Sequence, residues 1–307
     1  MKKETFKFHG GNHKVIEGIV WSPETQPNAV VHIVHGMTEH IGRYEDFADE
    51  LVKENIAVCG FDLRGHGTNL ENNCASFGHD GWQATKEDIK AMHTAIKKRF
   101  PQTPHFLLGF SLGSFIAREY IDTYPEDFSG AVIMGTGHQP ASVLSIMCAI
   151  VKGQIKKSGF DRTTPLVKKL SFETYNNNFK PNRTASDWLC SDSLQLDRYI
   201  DDPFCRENIS SGLFYQLLTA MKSTGHPAAY SNTDKDMPLL LISGGDDPVG
   251  GSGKGVTQAE EIMKKAGMRR ITKVIFAGAR HDLLHETAGG QAKKATETII
   301  NWIKTNK

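Results

Sequence analysis

In HFLLGFSLGSFIAREYIDTYP, His105 to Pro125, a strand pattern passes directly into a helix pattern. The stretch opens on a near-continuous apolar run, as a strand buried on both faces requires. From Leu112 the apolar spacing becomes that of a helix, which stops near Pro125. Between the two lies Gly109-Phe110-Ser111-Leu112-Gly113, a G-x-S-x-G pattern. Three fixed residues at roughly 7% each give about 0.1 chance matches in a chain this size, so the pattern alone is a modest signal. Its setting strengthens it. A sharp strand-to-helix turn holds a serine hydroxyl above a sheet and aims helix N–H groups at a developing oxyanion. Ser111 is therefore the candidate nucleophile.

The same alternation extends on both sides. FKFHGGNHKVIEGIVW reads as a β-hairpin around Gly10-Gly11-Asn12. Strands are expected at Ala29–Gly36, Ile56–Leu63 and Ala131–Gly137, with helices at Arg43–Asn55 and Lys86–Phe100. The alternation breaks from His138 to about Met237, where Ala141–Gly159 and Ile209–Met221 have helical spacing and SFETYNNNFKPNRTASDW, Ser171 to Trp188, is polar and loop-like. A strand at Pro238–Gly245, a helix near Val256–Ala266, a strand at Lys273–Ala279 and a helix at Ala292–Lys304 resume it. Apolar strands alternating with amphipathic helices imply an α/β fold with a mostly parallel sheet covered on both faces. The expected division is a core of residues 1–137 and 238–307, with 138–237 inserted as a helical cap.

A serine nucleophile needs a base and a group to orient it. ISGGDDPVG places Asp246 and Asp247 just after one late strand, and FAGARHDLLHE places His281 just after the last. The order Ser, acid, His fits a G-x-S-x-G hydrolase, although spacing alone does not separate the two aspartates. The loop after His35-Gly36 offers Met37 N–H as one oxyanion donor, with Leu112 N–H as the other.

HGMTEHIGRY, FDLRGHGTN, GFSLG, GGDDPV and GARHDLLHE occur in the order and spacing of the α/β-hydrolase superfamily, and the chain most resembles its monoacylglycerol lipase and lysophospholipase group. The resemblance spans the chain, though the cap from His138 to Tyr230 matches only in size and position. It implies an α/β-hydrolase fold, a nucleophile at Ser111, a base at His281, oxyanion donors at Met37 and Leu112, and, through the G-x-x-D-P-V pattern, the acid at Asp247. At Thr68-Asn69 the sequence departs from the group, whose RGHG is commonly followed by one residue and then serine; a loop effect is expected.

The implied activity is that of a serine carboxylic-ester hydrolase on single-chain acyl esters such as monoacylglycerols, with no cofactor and no metal. Lysophospholipase, short-chain carboxylesterase, peptidase, acyltransferase and a non-catalytic binding module are the alternatives. Val143, Leu144, Ile146, Met147, Ile150 and Val151 are expected to line an acyl slot, and the apolar face of Ala141–Ile155 suits either a membrane-touching lid or a packed cap helix.

Composition narrows the field further. Among 307 residues, 36 Lys+Arg against 35 Asp+Glu argue against a nucleic-acid partner. Five scattered cysteines without a CxxC pair argue for reduced thiols rather than a disulfide scaffold. The basic N-terminus is not followed by an apolar export segment, and no run approaches membrane-spanning length, so a soluble cytoplasmic protein is expected. His281 and His285 stand at i and i+4, a zinc-like spacing without a third ligand. Gly253-Lys254-Gly255 lacks the Ser/Thr of a phosphate loop, and Gly135-Thr136-Gly137 leads to Pro140 where a dinucleotide loop has glycine.

Overall fold

The opening hairpin forms, with β1 (Lys2–His9) antiparallel to β2 (Val15–Ser22) so that Lys2 faces Ser22 and His9 faces Val15. The computed structural model describes residues 1–70, 74–205 and 208–307. The strands that follow are β3 (Ala29–Val34), β4 (Ile56–Phe61), β5 (His105–Phe110), β6 (Gly130–Met134), β7 (Leu239–Gly244) and β8 (Ile271–Phe276). They join the hairpin in one sheet ordered β1-β2-β4-β3-β5-β6-β7-β8. The β2–β4 pairing is antiparallel, and every pairing from β4 to β8 is parallel.

β3 to β7 are buried residue for residue, which explains their near-continuous apolar sequence. The two-residue period sorts their side chains onto two faces. Leu107 joins one core with helices α2 (Gly81–Arg99) and α3 (Leu112–Thr123). Phe106 and Leu108 join the other with α1 (Glu45–Lys53) and α9 (Gln291–Asn306). This is the α/β-hydrolase fold the sequence implies.

Between β6 and β7 lie α4 (Ala141–Ser158), α5 (Pro165–Lys168), α6 (Ser193–Asp201) and α7 (Ser211–Thr224); α8 (Lys254–Lys265) follows β7. Two expectations change. α2 begins at Gly81 rather than Lys86, with no side-chain cap to mark its start. The Ser171–Trp188 stretch holds short helical turns at Lys169–Glu173 and Tyr175–Phe179.

Candidate functional site

The sheet order sets β3, β5, β6, β7 and β8 side by side and parallel, so the loops leaving their C-terminal ends share one edge. The candidate residues occupy four of these exits: Met37 after β3, Ser111 after β5, Asp247 after β7 and His281 after β8. Clefts of open parallel sheets form at that edge.

Ser111 sits at φ 50°, ψ −114°, a conformation non-glycine residues rarely adopt and one that stores strain at functional turns. It persists because the turn is over-determined. Ser111 N–H donates to Met134 O at 2.9 Å, while its own carbonyl accepts from Ser114 N–H at 2.9 Å and from Ser114 Oγ at 2.6 Å. A Cβ on Gly109 would lie 2.3 Å from Gly113 O, and one on Gly113 would lie 2.0 Å from Val34 O. Both glycines are thus forced by the close approach of α3 to the sheet. Leu112 is the first residue of α3, so its N–H has no partner within the helix.

Asp247 and Asp246 part company in the structure. Asp247 is fully buried, and its carboxylate accepts from Ser243 Oγ at 3.0 Å and from Val249 N–H at 2.8 Å. Asp246 is exposed, and its backbone N–H donates to Ala279 O. Asp247 Oδ1 lies 2.9 Å from His281 Nδ1, with 0% of the aspartate and 1% of the histidine side chain exposed. The contact has ion-pair distance but not hydrogen-bond alignment, leaving both ring nitrogens of His281 without a hydrogen-bond partner. The ring packs 4.9 Å from Phe110 and 5.1 Å from Trp188.

The loop after β3 is held from several sides. Gly36 N–H donates to Glu39 Oε1 at 2.5 Å, and Thr38 adopts φ 62°. His35 Nε2 accepts from Leu63 N–H at 2.9 Å, so its Nδ1–H donates to Gly36 O at 2.8 Å. Burial holds this imidazole well below its ordinary pKa and therefore neutral. Arg43 pairs with Glu39 and, at 2.7 Å, with Asp282 beside His281. Burial would raise the Asp282 carboxyl, but His285 and Arg43 hold it well below the usual carboxylate range. This network ties the Met37 loop to the His281 loop.

Ser111, His281, Met37 and Leu112 line one cavity of about 230 Å³. Leu144, Met147, Phe172, Trp188, Leu217 and Leu218 supply much of its apolar wall. The expected slot residues divide. Leu144 and Met147 reach the cavity and Val151 is buried, but Val143, Ile146 and Ile150 are exposed. One helix presents a single stripe inward, and these three lie off it. Phe172, Tyr175 and Trp188 were not expected at the site, since they sit in a stretch that reads as polar loop. Their aromatic content was the available signal.

The motif lookalikes resolve into structural roles. His285 bonds Asp282 Oδ1 at 2.8 Å and Arg43 O at 3.1 Å, which engages both its ring nitrogens away from His281. A Cβ on Gly137 would lie 2.2 Å from Val249 O, and Gly253 caps α8 at φ 85°. Thr68 Oγ1 and Asn69 Nδ2 donate to the side chain and backbone of Asp62, so the departure from RGHG-x-Ser falls on a loop anchor.

Comparison with known proteins adds relatives to this geometry. The Hydrolase_4 model, described as serine aminopeptidase, S33, matches residues 25–288. A monoglyceride lipase homolog of monkeypox virus is 27% identical over 92% of this chain and 92% of its own. The monoglyceride lipase of Rattus norvegicus is 25% identical over 92% of this chain and 84% of its own. A thermostable carboxyl esterase from Bacillus coagulans, solved in complex with glycerol, superposes with TM-score 0.90 at 23% identity over 100% of this chain and 99% of its own, a likeness of fold.

Proposed function

This chain belongs to the Hydrolase_4 family, serine aminopeptidase S33, and is an α/β-hydrolase enzyme that hydrolyses esters; from that premise we propose that it cleaves single-chain acyl esters such as monoacylglycerols, using Ser111, His281 and Asp247. The observation that carries the reading is the strained Ser111 turn opening into an apolar-walled cavity beside His281.

Ser111 Oγ attacks the ester carbonyl, and His281 takes its proton and passes it to the leaving alcohol. Asp247 orients the imidazole and stabilises its charged form. Met37 N–H and Leu112 N–H receive the negative charge that develops on the carbonyl oxygen. A water activated by His281 then releases the acid from the acyl-enzyme. The chemistry uses no metal and no cofactor.

The family's description names a peptidase, but the cavity favours the ester. An aminopeptidase needs a free carboxylate for the substrate's ammonium group, whereas the wall carboxylates Glu39 and Asp282 are both engaged by Arg43. The named monoglyceride lipases among the relatives point the same way.

Residues 138–237 serve in this reading as a cap over the core of 1–137 and 238–307. Val143, Ile146 and Ile150, exposed on α4, form the face with which the cap touches a lipid surface transiently. No helix among the described residues is long and apolar enough to cross a membrane. Five free cysteines support a cytoplasmic setting.

A chain-length series of monoacylglycerols and aryl esters at fixed detergent tests the proposal. Each methylene buried in a dry cavity contributes about 0.8 kcal/mol, so kcat/KM should rise roughly three- to fourfold per carbon until the cavity fills. A maximum at two carbons would make the protein a short-chain esterase instead.

A further inference from the structure

We propose that His40, Asp202 and Cys205 together bind a divalent metal ion of the zinc type, joining the loop after β3 to the insertion between β6 and β7. A ring nitrogen of His40, a carboxylate oxygen of Asp202 and Sγ of Cys205 all lie within 4.8 Å of one another, the one such three-ligand group found among the described residues. Imidazole nitrogen, carboxylate oxygen and thiolate are the three ligand types zinc accepts, with bonds of about 2.0–2.3 Å.

The geometry requires shifts of about an ångström or less at each ligand. In a tetrahedral site the N···O edge is roughly 3.3 Å and the edges to sulfur roughly 3.6 Å, given those bond lengths. His40 Nε2 and Asp202 Oδ2 already stand 2.9 Å apart in a hydrogen bond. The metal replaces that bond, its edge opens by about 0.4 Å, and the sulfur edges close by up to about 1.2 Å. Phe204 N–H donates to Asp202 Oδ1 at 2.8 Å, and this bond orients the carboxylate as outer partners of metal ligands do.

Charge and access agree with a cation. The carboxylates of Asp202, Glu39 and Asp282 act on Cys205 against the Arg43 guanidinium, and the groove adds Asp197 and Asp201 against Arg198. The local balance is therefore negative before the thiol ionises. An open groove lined by His40, Asp202, Pro203 and Phe204 reaches the two half-buried ligands, while Cys205 is buried. Cys205 is in no disulfide. An ordinary thiol is protonated at neutral pH. On binding, the S–H bond breaks, a metal–sulfur bond forms and the proton leaves to solvent. His40 binds as the neutral imidazole, and no electron is transferred.

The site is separate from Ser111 and does not depend on the proposed ester chemistry. Equilibrium dialysis of the whole protein against zinc chloride, with cobalt substitution followed by its ultraviolet thiolate charge-transfer band, tests it. The expected result is one ion per chain at micromolar free zinc, a cobalt–thiolate band, one proton released per ion and a higher Tm with zinc. His40→Gln and Cys205→Ser should each weaken binding by ~10-fold or more and abolish the Tm rise, with circular dichroism reporting their fold. Absence of stoichiometric binding, or equal binding by wild type and both folded variants, would overturn the proposal.

Discussion

Asp247→Asn isolates what the buried carboxylate contributes to turnover. Val249 N–H donates to Asp247 Oδ1, the same oxygen that faces His281. In the amide variant this N–H keeps an oxygen at that position, and the NH2 group turns toward Ser243 Oγ, which can accept. The imidazole tautomer is then preserved, and the loss is electrostatic. With roughly 4 Å between the charge centres of imidazolium and carboxylate, the attraction is about 4 kcal/mol at an effective dielectric of 20. At 1.36 kcal/mol per decade this predicts a fall in kcat of about 10³, smaller than the ~10⁴ of a variant forced into the wrong tautomer. Asp246→Asn changes only an exposed side chain and should leave kcat within about threefold. The assay is steady-state hydrolysis of an aryl ester, with Tm measured to show that both variants fold. An Asp247→Asn enzyme within tenfold of wild type, or an Asp246→Asn enzyme more impaired than it, would refute the assignment of the acid.

Gly113→Ala drives a Cβ to 2.0 Å from Val34 O, so α3 must move off the sheet and take Leu112 with it. It should cost at least about 1–3 kcal/mol and lower kcat/KM ~100-fold, whereas Gly153→Ala, whose Cβ meets nothing within 4 Å, should raise Tm. Equal melting of the two variants would contradict the packing account. Stability should also fall with acid, because burial lowers His105 to about 4 and His66 to about 3, and His105 Nδ1 is engaged by His32 Nε2 at 2.8 Å. These folded-state values lie below the unfolded 6.5, so the unfolded chain binds more protons and stability present at pH 7 is lost as pH falls below about 6.5. Together the two groups remove on the order of 4 kcal/mol between pH 7 and 5, a drop in Tm of roughly 5–10 °C. Calorimetry giving a flat Tm over that range would contradict it.

The core strands and helices were legible because burial on both faces writes itself as near-continuous apolar runs, as in HFLLGF. The strained turn was legible too, because Gly109 and Gly113 are sterically obligatory and so appear as a pattern. The exposure difference between Asp246 and Asp247 was not, since neighbouring residues in one turn carry no period. The cavity wall was only half visible: α4 gave away its apolar content but not which stripe faced inward. α6 is marked in the sequence only by its cap, Asp192, which accepts from Leu194 N–H and Gln195 N–H. Trp188 was hidden because its place is fixed by long-range contacts, Trp188 O and Leu189 O accepting from the backbone of His281 and Asp282.

In the proposed reaction Ser111 is an activated nucleophile. Treatment with a fluorophosphonate, followed by mass spectrometry of the intact protein and its peptides, tests it most directly. One adduct per chain is expected, on Ser111, abolished in folded Ser111→Ala together with esterase activity. An unlabelled wild-type protein, or an adduct on any other residue, would contradict it.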